Sequence, residues 1–138
     1  MTTKLEKMYR DYCQAWSTHE VEKILSYHTD DNVYEDTVVA RVMHGKAELR
    51  TFITDTFTAF PDFKIDRKAF FVSGEWAGAE WVMSGTFKGE AFGQKPTGKS
   101  FSVRGATIIE LRGDKLKRNT DYYDGFTFLR QLGVMPQM

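Results

Sequence analysis

The first apolar positions of the chain recur every three or four residues, which is the spacing of one face of an α-helix. The residues with this spacing are Leu5, Met8, Tyr9, Tyr12 and Trp16. They predict an amphipathic helix with one buried face. Thr2 or Thr3, immediately before it, is a candidate N-cap. The chain is therefore expected to open with a helix that brings aromatic side chains into the core.

Two more helices are predicted before residue 63, at about residues 19–27 and at residues 45–62. The apolar stripe of the second consists of Leu49, Phe52, Ile53, Phe57 and Phe60. Pro61 is expected to end that helix. Between the two helices, residues 30–39 ("DDNVYEDTVV") are rich in β-branched and aromatic side chains and predict a strand. Residues 41–46 ("RVMHGK") are expected to form a loop.

The pattern of the second half of the chain is typical of strands. Strands are predicted at residues 63–74, 75–89, 99–114 and 115–125, with turn signals between them. A last helix is expected over residues 126–133, because a glycine at its end is a usual helix stop. Such an order predicts an α+β fold in which a strongly curved antiparallel (mixed) sheet wraps around the N-terminal helices and leaves a cone-shaped internal cavity.

Composition narrows the classes of function. The length of 138 residues predicts one domain, residues 1–138. Its 19 basic and 19 acidic residues cancel, which argues against a nucleic-acid or membrane partner. A single cysteine and an N-terminus without an apolar leader favour a cytoplasmic protein. The three histidines lack metal-ligand spacing and no phosphate-binding loop is present, so neither a metal nor a cofactor is expected.

Two segments resemble a known family. The end of the chain, "TDYYDGFTFLRQLG" (residues 120–133), and "KPTGKSFSVRG" (residues 95–105) are similar to motifs of the SnoaL-like polyketide cyclases. These belong to the cone-shaped superfamily that includes ketosteroid isomerase, scytalone dehydratase and limonene epoxide hydrolase. The resemblance implies a cofactor-free aldol ring closure with an aspartate as general acid/base. That residue matches Asp121, and the family's catalytic histidine is replaced by Thr107.

The two aspartates near the C-terminus are expected to have different roles. Side chains alternate between the two faces of a strand, and Asp121 and Asp124 are an odd number of positions apart. A regular strand therefore cannot point both into one cavity. An apolar cavity would raise the pKa of the Asp121 carboxyl and suit it to proton transfer. Asp124 is instead a candidate N-cap of the last helix. Tyr123 shares the parity of Asp121 and is either a hydrogen-bond donor to a developing enolate or part of the cavity wall.

Other candidate cavity residues also follow from parity. Tyr34 and Asp36 share one face of the first predicted strand and would orient a polar group of a ligand, or else lie on an exposed edge. Trp81 and Met83 share a face of a later strand. Together with Trp16 of the first helix, they are either cavity walls or ordinary core residues.

Three functions remain open at this point. The first is a cofactor-independent enzyme that transfers protons on a small, largely apolar carbonyl compound, as a cyclase, isomerase or dehydratase. The second is epoxide hydrolysis, which would need an arginine between two aspartates. The third is a non-catalytic module that binds a hydrophobic ligand. The expected partners are a small hydrophobic molecule and a second copy of the chain, bound through the convex face of the sheet.

Overall fold

The helices and strands of the protein are described for residues 3–135 of a computed structural model. The helices are α1 (Lys4–Ser17), α2 (Val21–Ser26), α3 (Gly45–Ala59) and α4 (Gly125–Leu132). The strands are β1 (His28–Asp36), β2 (Arg41–His44), β3 (Lys64–Ser73), β4 (Trp76–Thr86), β5 (Ser100–Arg112) and β6 (Lys115–Tyr123). None of the helices in the described range is both long and apolar enough to cross a membrane.

The six strands form one mixed sheet in the order β2-β1-β6-β5-β4-β3. Strands β3 to β6 are antiparallel neighbours, and β2 pairs antiparallel with β1. The exception is β1, which pairs parallel with β6. This pairing joins the first strand of the chain to the last one, and it determines where the functional site lies.

The core lies between the concave face of the sheet and the helices. Helix α1 packs on β3, and α3 packs on β1. Bulges in β3, at Lys68, and in β6, at Lys117, interrupt the regular pairing and bend the strands. The predicted α+β class with a curved sheet around the helices is confirmed.

The ends of most elements lie close to the predicted bounds. The Thr3 hydroxyl oxygen accepts a hydrogen bond from the Glu6 amide at 3.0 Å and caps α1, while the alternative cap, Thr2, lies outside the described residues. Helix α3 ends at Ala59, three residues earlier than predicted. The reason is that Pro61 disfavours a helical conformation of the residue before it.

The segment after β1 differs from the prediction. The predicted strand at residues 30–39 began and ended too late, because β1 spans His28–Asp36 and residues 37–40 form a turn. The Asp36 carboxylate accepts hydrogen bonds from the amides of Val38 and Val39 at 3.0 and 3.1 Å, which stabilises a turn despite the β-branched sequence. The predicted loop at residues 41–46 contains the edge strand β2, which is too short for a periodic signal.

Asp124 lies past the end of β6, at the N-cap of α4. Its carboxylate accepts hydrogen bonds from the Thr127 amide at 3.0 Å and from the Thr127 hydroxyl at 2.6 Å. Gly133, in the left-handed conformation, ends the helix. Asp124 is thus placed for the capping role that its sequence position suggested, outside the cavity.

We therefore expect Asp124→Ala to lower the melting temperature by about 3–6 °C, because the first turn of α4 loses its acceptor. Asp124→Asn retains an acceptor oxygen and is the matched control, with a melting temperature close to that of the parent. Circular dichroism melts of the three proteins test this. An alanine variant that melts with the parent would show that the cap contributes nothing.

Candidate active site

A cavity of about 450 Å³ opens between the concave face of the sheet and the helices. Its walls are mostly aromatic: Trp16, Tyr34, Phe52, Phe60, Phe63, Trp81, Phe92, Phe101, Tyr123 and Phe128. This volume and this apolar lining are typical of a site for a small organic molecule. The described residues thus form a pocket that would exclude water from most of a bound ligand.

Two carboxylates lie side by side in the wall of this cavity. Asp36 of β1 and Asp121 of β6 are partners in the parallel pairing, so their side chains leave the sheet on the same face at neighbouring positions. Both line the cavity. They are only 7% and 9% exposed, respectively. Burial of two acids so close together is costly unless hydrogen bonds compensate for the lost water.

Three donors hold the Asp121 carboxylate. It accepts hydrogen bonds from the Tyr34 hydroxyl, from the Thr107 hydroxyl at 2.8 Å and from the Asn119 amide at 2.9 Å. Thr107 in turn accepts a hydrogen bond from the Trp81 indole at 2.7 Å. Thr107 therefore links Trp81 to Asp121 and holds the carboxylate in place.

The position of Trp81 depends on a glycine in the neighbouring strand. Gly105 of β5 faces the Trp81 ring, and a side chain there would overlap with the indole. The absence of a Cβ lets the ring lie flat against the sheet, where its nitrogen reaches Thr107. Trp81 is therefore both a wall of the cavity and the end of the hydrogen-bonded chain that leads to Asp121.

Asp36 has three donors of its own. Its carboxylate accepts hydrogen bonds from the two amides of the following turn and from the Tyr123 hydroxyl. The hydroxyl oxygen of Tyr123 lies 3.0 and 2.9 Å from the two carboxylate oxygens. Tyr34 of β1 donates to the aspartate of β6, and Tyr123 of β6 donates to the aspartate of β1. These crossed contacts fix both carboxylates across the strand pair. They also commit the Tyr123 hydroxyl to Asp36, so that it supports the carboxylate rather than facing a ligand oxygen.

Burial changes the acid strength of both carboxyls. The pKa of Asp121 is raised to about 6, first by burial and then by the negative charge of Asp36, against the opposing effect of the three donors. Burial likewise raises the pKa of Asp36, against the opposing effect of its amide and tyrosine donors. Burial also raises the pKa of Tyr34 and Tyr123, so both remain donors. Asp121 thus titrates close to neutral pH, as a general acid or base requires.

A smaller chamber of about 40 Å³ lies behind Asp121, between α1 and the sheet. Trp16, Tyr34 and Asp121 line both this inner chamber and the main cavity. The other polar residues of the inner chamber are Tyr9, Tyr12, Thr107 and Asn119. Asp121 therefore has a polar space on one side and the large aromatic cavity on the other.

The mouth of the cavity carries opposite charges. Its lining includes the exposed residues Arg41, Asp55 and Glu90. Arg41 pairs with Asp55 at 3.3 Å and lies over the Phe52 ring. Within residues 3–135, neither Asp36 nor Asp121 accepts a hydrogen bond from an arginine, so the arginine bridge that epoxide hydrolysis would need is missing there.

The structure brings the sequence-predicted residues together around this site. The main cavity is lined by Trp16, Tyr34, Asp36, Trp81, Met83, Asp121 and Tyr123, and the inner chamber also by Thr107. Their roles remain predictions. Sequence reasoning missed Asn119 and Tyr9. The parity that Asn119 shares with Asp121 was an available signal, whereas Tyr9 was assigned only to the apolar stripe of α1. No three His, Cys, Asp or Glu residues of the described chain are grouped to hold a metal ion.

A curved mixed sheet around two helices, with buried carboxylates in an aromatic cavity, defines the ketosteroid isomerase-like class of α+β proteins. Within that class, the sequence pattern of the SnoaL-like polyketide cyclases matches residues 6–132. The chain therefore belongs to this family. No curated protein is significantly similar to it in sequence.

Solved structures share the fold at low sequence identity. A protein of ketosteroid isomerase-like fold from Catenulispora acidiphila, solved with trimethylamine, is 20% identical, with a TM-score of 0.82 over 98% of this chain and 96% of its own. A candidate SnoaL-like polyketide cyclase from Shewanella putrefaciens has a TM-score of 0.83 at 14% identity, over 98% and 100% of the two chains. The candidate polyketide cyclase IdmH from Streptomyces antibioticus is 19% identical, with a TM-score of 0.78 over 96% of this chain and 100% of its own. These similarities establish the fold and leave the reaction open.

The raised pKa of Asp121 predicts a specific dependence of stability on pH. The folded state binds the Asp121 proton more tightly than the unfolded chain does, so this residue makes folding less favourable as the pH rises from about 4 to about 6. Asp121→Asn removes that effect. Its oxygen can still accept from Thr107 and Asn119, and its amide can donate to Tyr34. We expect the variant to gain free energy of unfolding relative to the parent across this window, by about 2–3 kcal/mol at most.

Urea unfolding of parent and variant at several pH values between 4 and 7 measures this difference. A difference that does not change with pH would mean that Asp121 titrates alike in the folded and unfolded states.

Proposed function

We propose that the protein is a cofactor-independent enzyme that transfers a proton on a small, largely apolar carbonyl compound, with Asp121 as the general acid/base. The observation that carries this proposal is a buried carboxyl whose pKa of about 6 lies near neutrality, in the wall of an aromatic cavity. Family membership supports a cyclase- or isomerase-type role. The apolar lining supports a substrate with little charge.

The chemistry begins with ionised Asp121, the predominant form above pH 6. Its carboxylate removes a proton from the carbon next to the substrate carbonyl. The electrons of the broken C–H bond form a C=C bond, and the π electrons of the carbonyl move to its oxygen, which gives an enolate. Asp121, now protonated, returns the proton to another carbon in an isomerisation or to a leaving hydroxyl in a dehydration. In a ring closure, the enolate carbon attacks a second carbonyl, whose oxygen takes the proton.

The neighbours of Asp121 fix the orientation of its carboxylate, which favours proton transfer. Tyr34, Thr107 and Asn119 each donate one hydrogen bond to it. Preorganised donors limit the rearrangement that proton transfer requires. Thr107 is therefore a positioning residue in this proposal, since it reaches the substrate only through Asp121.

A non-catalytic ligand-binding function is the second candidate. It is favoured by the number of hydrogen bonds that Asp121 already accepts within the protein, because a saturated carboxylate is a weaker base. The aromatic cavity would serve this function equally well. The two candidates differ in whether a bound carbonyl compound exchanges its protons.

Deuterium exchange into 2-tetralone, an aromatic ketone with acidic C–H bonds, tests the proposal. We expect the protein to accelerate the exchange in D₂O, with a rate that rises with pH and is half-maximal near pH 6, because the base must be ionised. Asp121→Asn should lower the rate about 10²–10⁴-fold. Asp124→Asn, which alters an aspartate outside the cavity, is the control and should leave the rate unchanged.

Binding of 2-tetralone can be followed by the fluorescence of Trp16 and Trp81, which line the cavity. Tight binding with no exchange above the buffer rate, or an Asp121→Asn variant as fast as the parent, would favour the binding module instead.

We also propose that two copies of the chain associate through the convex face of the sheet. Phe71, Ile108 and Tyr122 lie on that face and are 63%, 42% and 48% exposed. The ring of Phe71 covers Gly78, which pairs with Ile108. Glu80 and Arg104 on the same face carry opposite charges, so a two-fold arrangement would allow the face to complement itself. An interface of this kind buries on the order of 2,000 Å².

Light scattering at micromolar concentration should therefore give twice the chain mass of 15.9 kDa. The double variant Phe71→Ser, Ile108→Ser should shift the mass towards that of one chain, because the apolar area at the interface is lost. Phe126→Ser, which removes an exposed phenylalanine of α4, is the matched control. A parent protein with the mass of one chain would refute the dimer.

A further inference from the structure

The turn at the tip of the loop between β4 and β5 places an aromatic residue in an unfavourable backbone conformation. Ala91 and Gln94 exchange backbone hydrogen bonds of 3.2 and 2.8 Å, so Phe92 and Gly93 are the two central residues of a tight turn. Both have a positive φ, of 57° and 66°. Short polar residues and glycine are usual in such turns, because a larger side chain crowds a carbonyl oxygen in the left-handed conformation. Phe92 therefore makes this turn less stable than an asparagine would.

The turn is fixed to the end of α3. The amides of Lys88 and Gly89 both donate to the carbonyl of Ala59, at 2.9 and 3.2 Å. A Cβ at Gly89 would overlap with the backbone of Thr58, so a glycine allows this close approach. The ring that the turn carries is thus held at one place relative to the cavity, which lowers the cost of ordering it when a ligand binds.

The ring of Phe92 lies at the outer end of the main cavity. It lines this cavity and is 40% exposed, whereas Asp121 lines both the cavity and the inner chamber and is buried. From Asp121 the wall continues to Tyr123, the next residue on the same face of β6. The Tyr123 ring lies 5.6 Å from that of Phe128, which lies 5.9 Å from that of Phe92. A ligand that spans the cavity therefore has Asp121 at one end and Phe92 at the other.

The contacts of Phe92 within the protein do not account for its strained conformation. Its ring packs edge-on against Phe87 at 5.9 Å, yet much of it stays exposed. His19, which also has a positive φ, differs: its ring stacks on Phe57 at 3.9 Å, and its Nε2 is paired with the Phe63 carbonyl at 3.0 Å. Strained residues cluster at sites that contact ligands. The exposed side of the Phe92 ring, in the wall of the cavity, is available for such a contact.

We propose that Phe92 determines specificity by packing against the outermost ring of a ligand whose carbonyl end lies beside Asp121. The inference rests on the proposed function, because that function fixes the position of the carbonyl end. It identifies the ligand as one that reaches the mouth of the cavity and is flat at its outer end. Contact between two aromatic rings stabilises a complex beyond the area that it removes from water.

The size of the cavity agrees with such a ligand. A volume of about 450 Å³ lies in the range of pockets that hold drug-sized molecules. A two-ring ketone such as 2-tetralone, with its carbonyl beside Asp121, leaves the outer end of the cavity to water. A third fused ring extends the ligand towards Phe92 and replaces water at an apolar wall, which is favourable.

Isothermal titration calorimetry with two ketones tests this inference on the full chain. The probes are 2-tetralone and dihydrophenanthren-2-one, which carries one more fused benzene ring. The variant is Phe92→Asn, which removes the ring and introduces a residue that tolerates the left-handed conformation. Phe92→Tyr retains the ring. Phe126→Asn, which removes an exposed phenylalanine of α4, is the matched control.

We expect Phe92→Asn to bind the three-ring ketone about 5–10-fold more weakly than the parent does, because one aromatic contact is lost. Its affinity for 2-tetralone should change by less than about 2-fold, since the smaller ketone does not reach the mouth. Phe92→Tyr and Phe126→Asn should bind both ketones as the parent does. Circular dichroism of each variant checks that the fold is intact.

The comparison of the two ketones separates a ligand contact from a purely structural role. If Phe92 only anchored the turn, its loss would weaken the binding of both ketones alike, and the inference would be wrong. An asparagine variant that binds the three-ring ketone like the parent would also contradict it. So would a parent that binds this ketone no more tightly than 2-tetralone, or that binds neither.

These outcomes are also distinct from a failure of the proposed function. The titrations measure binding and need no reaction. If the parent does not accelerate deuterium exchange, the proposed function fails, and the difference in affinity between the two ketones still decides the role of Phe92.

Discussion

The parallel pairing of β1 with β6 is the contact on which the site depends. It places Asp36 and Asp121, which are far apart in the sequence, at partner positions on one face of the sheet. Two acids at neighbouring strand positions, both removed from water, make ionisation harder for each other. The pKa of about 6 at Asp121 follows from that placement and from burial in an aromatic cavity.

Hydrogen bonds make this arrangement tolerable. Each carboxylate has three donors, and the two tyrosine donors cross from one strand to the other. Without them, two buried acids would destabilise the sheet. Thr107 connects this arrangement to the neighbouring strand: its hydroxyl accepts a hydrogen bond from the Trp81 indole, donates one to Asp121 and so fixes the carboxylate. Proton transfer, in this proposal, then falls to Asp121.

The same fold serves different chemistries, so the side chains of the cavity decide what this protein does. Aromatic side chains make up much of its wall, and its two buried carboxylates lie on the neighbouring strands β1 and β6. An aromatic wall beside two buried carboxylates favours a ligand with an apolar body and one polar end. Apart from the two buried aspartates, the charged groups of the lining are exposed residues at the mouth, where Arg41 and Asp55 pair with each other, so an ionic ligand gains little from that pair.

The sequence by itself determined the helices, the antiparallel strands and the faces of their residues, because these depend on local periodicity and on capping. Strand alternation predicted that only one of Asp121 and Asp124 faces the cavity, and the family resemblance favoured Asp121, with Asp124 as the cap of α4. Only the tertiary structure decided which strand lies next to β6 and which hydroxyl each carboxylate binds. Parity gives the face of a residue but not its neighbour across the sheet. Tyr9 and Asn119 line the same inner chamber only because the curved sheet brings α1 and β6 to one cavity.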